Sequence, residues 1–351
     1  MRAMVMRSFG GPDVLQLEDV ATPRAELGEV LVRVGAVEVS RTRDAGTRSG
    51  RHPFSQQVHL PHILGGDFAG VVESAGPGVD ATLVGKRVGV TSGIFCGKCD
   101  ACLSGSQHEC LTQEMIGIHR WGSYAEFVRV PIGNLHELPA NVGMIEAAAM
   151  AATGSIALMQ LREARLNAGD KVIVTGVTGA LASVLAMLAP AFGVQAIGLS
   201  RRVAQTAVSL NATVLDSSRV DLAQAIVDAC GGERPNAAID NVSSPEMFDQ
   251  YFPVLRNGAR IIVSGAIGTP DLPVLRVPAQ PMYTRSISLI GIRTADYSAI
   301  REFWGLVRDG FRLPHDILHE QPLETAATAH RRLADGTATG HTILRVSPTE
   351  L

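Results

Sequence analysis

Outside one short segment the chain contains a single cysteine, Cys230, among 351 residues. A disulfide framework of the secreted kind needs several pairs distributed along the chain, so that class is excluded. The opening MRAMVMRSFGG alternates like a strand and lacks the apolar core of a signal peptide. Neither charge sign dominates: 31 Lys and Arg against 34 Asp and Glu give a net charge of −3, with no basic stripe, so nucleic acid is not an expected partner. The longest apolar stretches are broken by Gly, Pro or charge before about 18 residues, so no membrane span is expected. Repeats and low-complexity linkers are also absent. What remains is an ordinary globular balance, 46% hydrophobic and 19% charged. A cytoplasmic protein with a small-molecule substrate is the expectation.

The length suggests two domains. Residues 1 to 140 read as short strands punctuated by Gly and Pro, among them MRAMVMRSF, EVLVRVGAVEV, DFAGVVESAG and GKRVGVTSG. That pattern predicts a β-rich, barrel-like unit. From residue 141 the text changes. Helical stretches (MIEAAAMAATGSIALMQL, Ala180 to Phe192, AQAIVDAC) alternate with the apolar strands KVIVTG, QAIGLS, ATVLDS, AAIDNV, ARIIVSG and SISLIGI. Strands apolar on both faces between helices predict an α/β fold with a doubly wound parallel sheet. After Ile292 come an amphipathic helix, a loop with Pro314 and Pro322, a second helix and the strand GHTILRV, which is expected to return to the first domain.

Four cysteines, Cys96, Cys99, Cys102 and Cys110, fall in CGKCDACLSGSQHEC. Four thiolates complete a tetrahedral zinc shell with no open position, which is a structural site. Gly97, Ser104 and Gly105 let the backbone fold around an ion. Disulfides, unrelated thiols and an iron–sulfur cluster are the alternatives.

The strand Lys171 to Thr175 runs into a turn, Gly176, Val177, Thr178, Gly179, Ala180, Leu181 and Ala182, and then a helix. Glycine at 176 allows a tight turn. Gly179 lets backbone approach a pyrophosphate at the positive helix end, and Ala182 keeps helix and strand close. An ordinary strand–helix turn is the alternative, but the βαβ context is the one such a loop requires. The next strand ends in Ser200, Arg201 and Arg202, where an NAD site places a carboxylate for the ribose hydroxyl. Guanidinium groups instead grip a 2′-phosphate, so NADPH is expected. Solvated arginines at a helix start are the alternative. Val242, Ser264 and Ile290, at or near strand carboxyl ends, are expected to flank a nicotinamide.

The opening MRAMVMRSFGGPDVLQLEDV, GGDFAGVVESAGPGVDATLVGKRVGV, the four-cysteine lobe (about residues 93–113), WGSYAEFV and TGVTGALA occur in one order over essentially the whole chain. Together they resemble the medium-chain dehydrogenase/reductase superfamily of zinc alcohol dehydrogenases and quinone oxidoreductases. The resemblance implies a GroES-like catalytic domain from residues 1–140 and 297–351, and a Rossmann domain from 141–296. It also implies a nicotinamide cofactor in the cleft, contacted by Thr153, and a homodimer through the last Rossmann strand, Ser286 to Ile292.

The resemblance further implies where a second, catalytic zinc would sit, and here the chain departs. The first ligand would be a Cys after the strand Leu31 to Val39; the chain has Ser40, Arg41, Thr42, Arg43 and Asp44. The second would be the His of a Gly-His-Glu triplet; the chain has Gly65, Gly66 and Asp67. The third would be a Cys near Ala149 to Thr153, where only Ala, Met and Thr occur. One carboxylate cannot make a catalytic zinc site, which needs about three protein ligands. An enone, enoyl group or quinone, reduced by hydride transfer without that metal, is therefore the expected substrate.

Candidate proton donors are Thr42, Asp44, His62, Asp67 and Tyr124. Four of the five have a plainer alternative. Thr42 suits a turn cap, Asp67 a structural carboxylate paired with an arginine, His62 a packed residue, and Tyr124 a core side chain with a satisfied hydroxyl. His52 and His119 are weaker candidates. Pocket walls are expected from the loops Arg48 to Pro61 and Pro270 to Tyr283. Two other functions stay open: an alcohol or carbonyl oxidoreductase with an atypical polar site, and a dinucleotide-binding protein without turnover.

Overall fold

A computed structural model of the chain describes residues 1–203, 210, 212–265 and 273–347. Two compact units emerge. One comprises Met1–Ala152 with Arg301–Leu351, and the other Thr153–Ile300.

The first unit is built on a seven-stranded sheet. Its order is Leu135–Glu137, Arg87–Val90, Asp67–Ala75, Glu29–Glu38, His341–Arg345 and Leu318–Pro322, with Phe127–Pro131 also paired to Glu29–Glu38. The last strand does return from the far end of the chain, pairing antiparallel with Glu29–Glu38. A smaller sheet of Leu15–Asp19, Arg2–Met6 and His62–Ile63 packs with it around a Val- and Ile-rich core that includes Tyr124. Helix Met144–Met150 lies against the long strands. Gly35 permits this approach, because a Cβ there would come within 3.1 Å of Met144.

The second unit is a six-stranded, wholly parallel sheet. Its strands run in the order Thr213–Asp216, Gln195–Ser200, Lys171–Thr175, Ala237–Asp240, Arg260–Val263 and Ser288–Gly291. Chain order 3-2-1-4-5-6 is the doubly wound Rossmann arrangement, with its switch point beside the first strand. Ile173, Ile197, Leu199, Ala238 and Ile261 are fully buried, as strands covered on both faces require.

One helical run is longer and more apolar than the sequence reading allowed, though it does not overturn the expectation of no membrane span. The helical run Met144–Ala164 is 21 residues long with a mean hydropathy of 1.3, enough by length and composition to cross a bilayer. Here 78% of its apolar window is buried inside the protein, so that surface is spent on packing.

Candidate functional site

The cysteine lobe grows from a two-strand ribbon, Gly93–Ile94 with Glu114–Met115. Gly97 and Gly105 take left-handed φ values of 70° and 86°, and these turns bring the four thiols together. None of the four is in a disulfide, and their sulfurs lie within 4.8 Å of one another. Cys96 and Cys102 Sγ are 3.8 Å apart. Zinc–sulfur bonds of about 2.3 Å at tetrahedral angles set sulfurs about 3.8 Å apart, so the donor set fits one zinc ion. A multi-iron cluster spreads its thiolates over separate irons and so holds them farther apart. Hydrogen bonds from the Lys98 backbone N–H, the Thr112 hydroxyl and the Cys99 N–H pull the Cys96 thiol down to about 5. Burial pushes Cys102 up to about 12, so its deprotonation awaits the metal.

In the second unit, strand Lys171–Thr175 ends at Gly176, which has φ 65°. A Cβ there would lie 2.8 Å from Val242 Cγ2. Gly179 caps helix Ala180–Leu188. The first-turn N–H groups of Ala180, Leu181 and Ala182 have no intrahelical acceptor, and the helix dipole makes that end positive. Thr178 and Ser200 share a hydroxyl hydrogen bond of 3.0 Å, and Ser200 Oγ accepts from the Arg202 N–H at 3.0 Å. The turn and the adjoining strand end are thereby fixed to each other, with Arg201 exposed and Arg202 half-buried. This set fits a dinucleotide pyrophosphate. Thr153 opens helix Thr153–Ala164, Ser264 Oγ is buried without a partner among the described residues, and Ile290 sits in the last strand. Of the second expected wall loop, residues 270–272 lie outside the described residues.

Asp240, which sequence reading passed over, ties this region together. It accepts from the Thr175 hydroxyl (2.7 Å), the Val242 and Ser243 N–H groups (3.0 and 2.8 Å) and the Tyr251 hydroxyl (2.8 Å). Its signal was present: a carboxylate ending the apolar strand AAID.

The residues standing where the resemblance places a catalytic zinc lie in the first unit. After strand Glu29–Glu38 the chain enters the tight turn Arg41–Ala45, in which the Ser40 hydroxyl accepts from Arg43 N–H at 3.2 Å. This turns Arg43 inward, leaving it 5% exposed. Its Nε and Nη2 donate to the two oxygens of Asp44, at 2.9 and 3.1 Å. Its Nη1 donates to Asp67 Oδ2 and, at 3.4 Å, to the Ser92 hydroxyl. Burial opposes the Arg43 charge, but the two carboxylates outweigh it and hold the group firmly protonated. Gly66 has no room for any side chain. A Cβ would meet Ile116 O and Ser92 Cβ at 2.7 Å and Arg43 Cζ at 3.0 Å. The guanidinium thus fills the space beside the position expected of a histidine ligand. A catalytic zinc does not fit these residues.

The structure brings Arg43, Asp44, Asp67 and Tyr124 together and leaves Thr42 and His62 outside this network. Thr42 is exposed, with its hydroxyl 3.4 Å from Ser40 Oγ. His62 is buried, its Nε2 has no partner among the described residues, and burial holds its pKa down. Tyr124 is fully buried and its hydroxyl is committed. Arg48 Nε donates to His330 Nδ1 at 3.1 Å, so the proton of this neutral imidazole sits on Nε2, 3.1 Å from the Tyr124 oxygen. Burial first, and then the charge of neighbouring Asp44, hold the Tyr124 hydroxyl protonated. Burial lowers His330 to about 4, which keeps it neutral. His52 and His119 have structural duties, accepting from Phe54 N–H (3.2 Å) and Met115 N–H (3.0 Å). Sequence reading missed Arg43, Ser92, Arg48 and His330. The Arg43-Asp44 pair adjoining a strand was the only local hint.

Residues 26–140 match the family of the alcohol dehydrogenase GroES-like domain, and residues 180–309 match that of zinc-binding dehydrogenases. An alcohol dehydrogenase of Geobacillus stearothermophilus is 30% identical over 350 residues, covering 99% of this chain and all of that one. The L-threonine 3-dehydrogenase of Bacillus subtilis is 27% identical, covering 88% of each chain. The crystal structure of an NAD-dependent alcohol dehydrogenase aligns with a TM-score of 0.90 at 30% identity, over 99% of this chain and 100% of the other. Both matched families follow each other along a chain whose two sheets have the corresponding architectures, and the chain belongs to the medium-chain dehydrogenase/reductase superfamily.

Proposed function

We propose that this oxidoreductase uses NADPH to reduce an activated carbon–carbon double bond, as in an enone or enoyl group, or a quinone, with no catalytic zinc. The observation that carries the reading is the Arg43 guanidinium, buried between Asp44 and Asp67 beside a Gly66 that admits no side chain. Without a Lewis acid, an alcohol must lose its proton to a positioned protein base before it can give up hydride. An enone or quinone accepts hydride directly, and the protein need only orient it, supply a proton and stabilise the developing oxyanion. NADPH, when bound, supplies the hydride. The Gly176–Leu181 turn would hold its pyrophosphate, and Ser200, Arg201 and Arg202 its 2′-phosphate.

A second reading, an alcohol or carbonyl oxidoreductase with an atypical polar site, draws support from the names of the relatives above. A third, a dinucleotide-binding protein without turnover, makes no use of the ion cluster. A homodimer through the edge strand Ser288–Gly291 accompanies the proposal, and the 41% exposure of Leu289 on that strand supports it.

Cofactor consumption tests the reading. NADPH oxidation with a panel of enones, enoyl thioesters and quinones, and no NADP reduction with alcohols, is the expected result. Alcohol oxidation alone establishes the second reading, and tight NADPH binding with no turnover establishes the third.

A further inference from the structure

Five ionisable side chains meet where strands Glu29–Glu38, Asp67–Ala75 and His341–Arg345 lie side by side: Glu38, Arg43, Asp44, Asp67 and His341. None is more than 5% exposed. Glu38 and Asp67 face each other as direct cross-strand partners, and Glu38 Oε1 lies 2.6 Å from His341 Nδ1. Three carboxylates and one guanidinium leave two negative charges unbalanced while His341 is neutral. Isolated buried charges are so poorly tolerated that such groups take up protons instead. Two protons neutralise the cluster. One belongs to the Glu38–His341 contact.

The other has one natural place. Asp44 accepts from the Ser40 N–H at 2.8 Å and from Arg43 Nε and Nη2. Donors surround both of its oxygens, and an added proton there would confront another hydrogen. Asp67 is different. Arg43 Nη1 reaches its Oδ2 and the Ser92 hydroxyl faces it, while Oδ1 is buried with no partner among the described residues. Burial, reinforced by Asp44, pushes Asp67 up against the pull of Arg43, and burial raises Glu38 as well. The nearby imidazoles of His52 and His62 are both held down by burial and add no positive charge at neutral pH. Of the two carboxylates around the guanidinium, Asp67 alone keeps an oxygen clear of donors among the described residues, and that oxygen has room for a proton.

We propose that Asp67 is a neutral carboxylic acid at neutral pH, carrying its proton on Oδ1, so that the fold stores a proton beside the Arg43 guanidinium.

Infrared difference spectroscopy of the zinc-loaded full chain at pH 7 tests the stored proton. A protonated-carboxyl band should be present in the parent, absent in Asp67→Asn and retained in Asp44→Asn. Its absence from the parent overturns the proposal. Thermal melts give a second readout. Asparagine is nearly isosteric with a neutral acid, so Asp67→Asn should melt with the parent at pH 7, whereas Asp44→Asn should melt well below it. Equal loss in both overturns the assignment.

Discussion

A guanidinium can hold the centre of a buried polar site only when its forked donors meet fixed acceptors, and Arg43 meets Asp44 through two of them and Asp67 through a third. Arg43→Met would leave the buried Asp44 carboxylate without its cation and Asp67 Oδ2 without its donor. The expected cost is about 3–5 kcal/mol, the usual result of removing one partner from a buried ion pair. Arg43→Lys should rescue little of it, because a point-charge ammonium cannot span both carboxylates in a planar fork. Urea denaturation of the two variants measures both. His330 gives a pH prediction. Its folded pKa lies near 4, below the ordinary 6.5, so the fold favours the neutral ring. That contribution is complete above pH 6.5 and is lost as the pH falls toward 4, by about 1.4 kcal/mol per pKa unit. The stability–pH curve of His330→Gln should therefore fall less steeply than the parent's between these limits; parallel curves contradict the assignment. At this scale the sequence was only half legible. Pairing of Asp67 with an arginine was among its expected fates. The identity of that arginine depended on the inward turn at Ser40, a feature of backbone geometry that composition does not encode.

Elements were more legible, because burial on both faces writes itself as uninterrupted apolar runs. All six parallel strands and the returning last strand were readable in that way, and the glycines marked the turn at Gly176 into its helix. Strand Leu318–Pro322 was not. Its flanking prolines read as loop, yet it lies at the sheet edge, where a missing N–H is tolerated. The short helix Pro245–Tyr251 also escaped notice, being too brief for a periodic signal. The turn at Gly176 carries two predictions. Gly176→Val combines a left-handed φ with a methyl-bearing Cβ 2.8 Å from Val242, so it should weaken both stability and dinucleotide binding, measured by melting and calorimetry. Arg201→Ala with Arg202→Ala should shift cofactor preference from NADPH toward NADH. An unchanged ratio of the two affinities removes the 2′-phosphate assignment.

For the whole molecule, the two candidate metal positions of the superfamily have separated in character. The cysteine lobe retains a donor set spaced for zinc, and because such binding contributes folding free energy, Cys99→Ser should lose the ion and lower the melting temperature. The other position has been taken over by a protein cation and its carboxylates. Zinc content of a purified, enzymatically active preparation, measured by elemental analysis beside its NADPH oxidation rate, tests this most directly. One zinc per chain with full turnover is the result predicted. Two zincs per chain, with activity lost when the more weakly held ion is removed, would contradict it.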